Sequence, residues 1–423
     1  MKSRTLLIVT LAALAAASCA EKQPKILTDV PEQGYFKDIF IDSGIQIAEH
    51  EYTPAVRNLG LSHETLRLGD ETPDNLAIQE MIFCGSEEDL NGRLLYPDGA
   101  PRFKCIYVYG GLATYHGNSL GETGRDRFRA FYDNGGSYVG SCAGAYLCCK
   151  GFDVTHLPKG YLGIWPDTCD EAAIEDIFPT YELPEDSPLL RYDDFGGDRM
   201  VDSVEHCNGP FFSRWEAVPG TEVLACNRLE GSVLDGNPSL IAFKRSEESG
   251  RLILSGGHPE LPEGGEQLDL MSAILSYAID GRGSARLKAM LDNGETREMT
   301  SSTADGDPGH AMIGDLQYHH FAFFLPKKAR NVRVRLESLS GHNLSLRMSE
   351  GAFAFRDEAA CSVENEEPVK ELVFDRLPAG TWYIGIQCEE TVKVTDERCY
   401  DIYEGAEVLN GVPYTVSVTW NAR

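Results

Sequence analysis

Three short runs hold the residues best suited to chemistry. Cys142 stands in Gly140-Ser141-Cys142-Ala143-Gly144, where the β-type stretch GSYVGS passes straight into the helical stretch AGAYLCCK. A cysteine at a strand-to-helix turn between glycines has the pattern of a nucleophile elbow. Glycine on either side lets strand and helix approach without a Cβ clash. The opening amides of the helix favour a thiolate, and the amide of Ala143 points where an oxyanion would develop. Taken alone, the same cysteine serves equally well as a buried structural residue.

The second run, Gly256-Gly257-His258-Pro259-Glu260, ends the stretch RLILSG. In an extended segment side chains two apart share a face, so Glu260 can orient His258, and Pro259 keeps His258 out of helix. Facing a cysteine from another strand, the pair completes a nucleophile, base and orienter. A lone His-Pro-Glu is an ordinary surface turn, and the pairing with Cys142 lifts it above that. The third run is Tyr109-Gly110-Gly111, after the strand FKCIYVY. Gly110 and Gly111 can bare backbone amides to a ligand and supply a second oxyanion donor beside Ala143. Alone, the run is a strand-to-loop turn.

Positioning these runs requires an α/β domain. Between Phe36 and Asp280, β-branched and aromatic runs at 36–42, 64–68, 103–110, 136–141, 222–227, 239–245 and 251–256 alternate with helical stretches at 124–134, 143–150 and 266–280. That alternation argues for a largely parallel sheet. Leu268, Met271, Ile274, Leu275 and Ala278 fall at helical spacing and form a core-facing stripe. Residues 282–309 turn small and charged and read as a linker. From 310 to 423 the pattern becomes short strands separated by turn-formers, a β-sandwich.

The first 19 residues combine Lys2 and Arg4, an apolar run from Leu6 to Ala17 and small residues before Cys19. They read as an export signal, followed by a linker at 20–35. The pattern resembles a bacterial lipoprotein signal, which implies lipidation of Cys19 and a membrane contact through that lipid alone. No later run reaches the roughly 18 apolar residues of a spanning helix. A net charge of -28 argues against nucleic acid as a partner. Eleven cysteines follow Cys19, an odd number that leaves at least one thiol unpaired outside the cytoplasm. No Cys/His ladder points to a metal and no Gly-rich nucleotide loop to a cofactor, so neither is expected.

The order strand-Gly-Gly, Gly-Ser-Cys-Ala-Gly, His-Pro-Glu resembles the class I glutamine amidotransferase-like superfamily. Within it, IFIDSG at 39–44 and CNGPFF at 207–212 resemble the biotin-protein ligase N-terminal domain family. The resemblance covers residues 36–281. It implies a flavodoxin-like α/β domain with a mostly parallel sheet, Cys142 as nucleophile, His258 as general base and acid, Glu260 as its orienter, and Gly111 with Ala143 as oxyanion donors. LPAGTWYIGIQ and PYTVSVTW resemble the pre-peptidase C-terminal domain, an all-β sandwich on secreted proteins. The sandwich stands where a ligase catalytic domain would follow, so water is the expected second substrate. The expected activity is hydrolysis of an amide bond in a small amide or peptide, through a thioester, at the cell envelope. The alternatives are a non-catalytic surface binder on the same scaffold and an amidotransferase subunit with a synthase partner.

Other candidates read as structural. Cys148 and Cys149 lie inside the helix and pack in the core. The polar stretch 113–127, with His116 and Asn118, is either a loop or a pocket wall. His319-His320 reads as a cross-strand surface feature, and Asp305-Gly306-Asp307 lacks the further ligands of a calcium loop.

Overall fold

A computed structural model describes residues 34–48, 54–304, 307–397, 399–404 and 406–421. The expected export signal, Cys19, most of the 20–35 linker, Asp305 and Gly306 lie outside the described residues.

The amino-terminal part forms a nine-stranded sheet. Its strands are β1 (Lys37–Ile45), β2 (His63–Gly69), β3 (Phe103–Val108), β4 (Ser137–Ser141), β5 (Thr180–Glu182), β6 (Met200–Val201), β7 (Thr221–Arg228), β8 (Pro238–Phe243) and β9 (Leu252–Ser255). They lie in the order β2-β1-β3-β4-β9-β8-β7-β5-β6. The first five run parallel, in the doubly wound order of flavodoxin-like domains. The remaining contacts are antiparallel, so the sheet is mixed. Every residue of β3, β4 and β9 is buried, which is why these strands read as continuous runs rather than alternating ones.

Helices α1 (Pro54–Asn58), α2 (Pro73–Cys84), α3 (Ala113–Ser119), α4 (Gly121–Asp133), α5 (Ala143–Cys148) and α6 (Glu266–Asp280) cover the sheet, α1 packing on α6 and α2 on α4. In α6 the expected stripe holds: Met271, Ile274, Leu275 and Ala278 are buried and Leu268 packs beside them. α2 was not anticipated. Thr72 caps it by accepting from the Asn75 amide at 3.2 Å, and Pro73 begins it. The stretch 113–127 is helical too, in α3 and the start of α4.

The carboxy-terminal part is a two-sheet sandwich with its own core. Residues 282–309 do not merely link: Leu287–Met290 and Thr296–Met299 are edge strands of the two sheets, paired with Tyr318–Leu325 and Tyr414–Asn421. Buried ionic contacts fasten the sandwich to the α/β part. Arg102, just before β3, donates to both carboxylate oxygens of Asp315 at 3.0 Å, with both side chains almost fully buried. Asp98 meets Lys288, Gln317 and His319. A hairpin of Lys393–Glu397 and Asp401–Glu404 lies along the β2 edge, where Arg67 donates its amide to the Cys399 carbonyl at 2.7 Å. That covers an otherwise open strand. His319 and His320 are therefore buried, contrary to the surface placement expected of them: the junction covers that strand, and a single strand's pattern does not show what will dock on it. No helix among the described residues is long and apolar enough to cross a membrane.

Removing one member of a buried ion pair leaves a charge without compensation. Asp315→Ala is expected to cost about 3–5 kcal/mol, and the double variant Arg102→Met/Asp315→Leu considerably less. Urea denaturation followed by fluorescence measures both.

Candidate functional site

β3, β4 and β9 are adjacent and parallel, so all three sequence runs emerge at one end of the sheet with Cys142 in the middle. The carboxyl ends of parallel strands are where ligands bind in open α/β sheets. The turn at Cys142 is sharp, with φ +48° and ψ -105°, a conformation that L-residues rarely adopt. The Cys142 amide donates to the Ser255 carbonyl at 2.9 Å, tying the turn to β9, and the Gly144 amide donates to the Tyr109 carbonyl at 3.0 Å. A side chain at Gly144 would run into the Val108 carbonyl, and one at Gly140 into the Gly144 backbone. Both glycines are thus required by close approach.

Gly110 is the floor between the candidate nucleophile and base. A Cβ built there would lie 2.5 Å from His258 Cε1 and 3.4 Å from Cys142 Cβ. The two side chains converge on that glycine. His258 Nδ1 bonds Glu260 Oε1 at 2.8 Å, and its backbone amide donates to the Glu205 carbonyl at 2.8 Å. Residues 256–260 bend and turn instead of running extended, so the turn, not strand alternation, brings Glu260 under His258. Burial pulls the His258 pKa down, but the Glu260 carboxylate and contacts to Cys142 outweigh it and raise the pKa to about 11. The imidazole is accordingly protonated throughout the neutral range.

Of the expected oxyanion donors, Ala143 opens α5, and among the described residues its amide has no hydrogen-bond partner. Gly111 faces Ile47 in an antiparallel bridge whose two bonds, Leu112 N to Gln46 O and Ala48 N to Gly110 O, leave the Gly111 amide unused. α5 is only six residues long, so the helix dipole adds little here; the charged imidazole is the stronger field on the sulfur.

Several residues at the site were missed by sequence reasoning. Ser141 donates to Glu260 Oε2 at 3.2 Å, and Tyr107 bonds Ser141 at 2.9 Å, bracing the carboxylate. The Cys142 thiol points at the Cys207 carbonyl, 3.5 Å away. Beside it, His206 is buried with both ring nitrogens unpartnered among the described residues, its pKa lowered to about 4 by burial and by His258. Ser141, Tyr107 and Cys207 each sit inside a run already singled out in the sequence, but their contacts, and the place of His206 beside them, arise only through topology.

Cys148 and Cys149 are fully buried, with their thiols pushed up by burial. His116 is no pocket wall: buried, it bonds Asp42 Oδ2 at 2.9 Å and the Ile45 carbonyl at 3.1 Å, pinning α3 to the end of β1. Asn118 is exposed and lines a cleft that includes neither Cys142 nor His258. Asp307 caps a short turn through the Gly309 amide. Among the described residues no group of three or more His, Cys, Asp or Glu side chains could hold a metal ion.

No protein-family model matches the chain. An uncharacterized protein of Chlamydia muridarum (strain MoPn / Nigg) is 28% identical over 168 residues, 38% of this chain; the match spans 62% of that relative's length. Among solved structures, a glutamine amidotransferase aligns at 20% identity and TM-score 0.36, covering 56% of this chain and 98% of the other. A ThuA-like protein from Bacteroides uniformis ATCC 8492 aligns at 16% identity and TM-score 0.32, covering 61% and 94%. The pre-peptidase C-terminal domain of a Bacillus anthracis collagenase aligns at 11% identity and TM-score 0.20, covering 32% and 100%. Likenesses this shallow say nothing of chemistry, which the site's own geometry has to carry.

Because the folded pKa of His258 lies above the ordinary value of about 6.5, its pairing with Glu260 stabilises the fold fully below pH ~6.5. That contribution is lost as pH rises through about 11. Glu260→Gln should therefore destabilise most just below pH ~6.5, with the gap to wild type closing in urea titrations as pH rises toward about 11. In the variant, the His258 Cε1 proton should titrate between roughly pH 5 and 8, whereas in wild type it should stay flat there.

Proposed function

We propose that the chain is a cysteine-dependent hydrolase of an amide bond, built on a class I glutamine amidotransferase-like scaffold of the biotin-protein ligase N-terminal domain type. The observation carrying this reading is the convergence of Cys142, in its strained turn, and His258, braced by Glu260, on Gly110. The substrate class is a small amide or peptide, and the place of action is the cell envelope, reached by export and held by lipid at Cys19.

In the proposed reaction the Cys142 sulfur attacks the amide carbonyl while the charged His258 stands beside it. The carbonyl electrons move onto oxygen, facing the free amides of Ala143 and Gly111. Collapse breaks the C–N bond, His258 gives its proton to the leaving amine, and a thioester remains. The now neutral imidazole takes a proton from water, whose oxygen attacks the thioester. Loss of the acid restores thiolate and imidazolium. Glu260 keeps Nδ1 toward itself, leaving Nε2 for the sulfur side.

Brief iodoacetamide treatment of the folded chain, followed by peptide mapping, should label Cys142 ahead of Cys207, Cys226 and Cys361. His258→Ala should slow that labelling markedly and lower turnover of an amide panel by roughly 10²–10⁴-fold. Equal labelling of all accessible thiols would sink the activated-cysteine reading. Normal labelling with no turnover of any amide would instead favour a binding protein on this scaffold.

A further inference from the structure

The junction between the two parts holds an open-mouthed cavity of about 520 Å³ that the chemistry at Cys142 does not use. Its walls include Pro101, ahead of β3, and Asn134, ahead of β4, together with the starts of the sandwich strands at Leu287 and Tyr318. It therefore lies at the opposite end of the parallel strands from Gly110 and Cys142.

Three polar groups in this wall are buried without a hydrogen-bond partner among the described residues: both ring nitrogens of His320, the Tyr96 hydroxyl and Arg127 Nε. His320 is 3% exposed. Its ring lies 5.7 Å from that of Tyr318, with planes 3° apart, and 4.8 Å from that of Phe355. Native chains rarely leave buried donors unmet, and each such group calls for an explanation, a ligand being one. The charge around the cavity is selective as well. Arg127, Arg282, Arg286 and Lys288 line it against one carboxylate, Asp98, which Lys288 and His319 already engage. Arg286 also reaches Glu248, at 3.7 Å, and Arg282 lies over the Tyr35 ring. A cationic, aromatic cavity of this kind stands out in a chain of net charge -28.

We propose that this cavity binds a ring compound bearing a carboxylate. The carboxylate meets the arginines and the Tyr96 hydroxyl, the ring lies against the aromatic wall, and a ring substituent meets His320. A uronic sugar and an aryl carboxylate share this chemistry, and the two arms of the test separate them.

The full chain is titrated calorimetrically with glucuronate and, separately, with 4-hydroxybenzoate, and melting curves are recorded with each. At least one compound should bind and raise Tm, and Arg127→Gln should weaken that binding by about tenfold or more. His320→Phe keeps the ring and removes its nitrogens, so it should raise Tm of the unliganded chain while abolishing the ligand-induced shift. Binding by neither compound overturns the proposal, as does binding that both variants leave unchanged. A lower Tm for unliganded His320→Phe overturns it too, since the nitrogens would then have partners. Amide turnover at Cys142 is a separate readout, and its presence or absence leaves the result intact.

Discussion

The architecture of the site depends on how closely α5 lies against β3. Gly144 sits with its amide on the Tyr109 carbonyl and no room for a side chain beside Val108. The helix can then begin immediately after β4, and Cys142 absorbs the reversal in a positive-φ turn. The same turn bonds back to Ser255 and thereby to the strand that delivers His258. The Cα–Cβ bond of Cys142 is positioned by backbone contacts to both neighbouring strands, which leaves a single torsion to place the sulfur. Gly110 answers the same constraint from the other side, since any larger residue would displace His258.

The second constraint is electrostatic. Glu260 is buried, and a carboxylate out of water is tolerated only with partners. It has His258 on one oxygen and Ser141 on the other, with Tyr107 behind Ser141. The cost of burying that charge is offset by keeping the imidazole charged, so the acid-base character of His258 is set by a residue that need touch no substrate. The domain junction follows the same logic with Arg102 and Asp315, there holding two folds together.

Much of this was legible in the sequence because it is local. The Cys142 turn needs small residues at fixed offsets, the helix at 266–280 announces its stripe, and the parallel core shows as short β-branched and aromatic runs. What stayed hidden depends on partners far along the chain. β5 and β6 are too short to show a period, and the strands at 287–290 and 296–299 are half-exposed edges whose composition resembles a linker. His116, His319 and His320 look like surface histidines until Asp42 or the docked sandwich covers them. The α2 cap at Thr72-Pro73 was readable, but the helix carries little amphipathic contrast to draw attention to it.

The described chain enters at Gly34, pressed against the backbone of Tyr318, and β1 then runs nine residues, about 30 Å, toward the end that carries Cys142. Entry point and thiol are therefore at opposite poles of the sheet. A perturbation at the Gly34 end therefore reaches the cysteine only through the full length of the parallel strands.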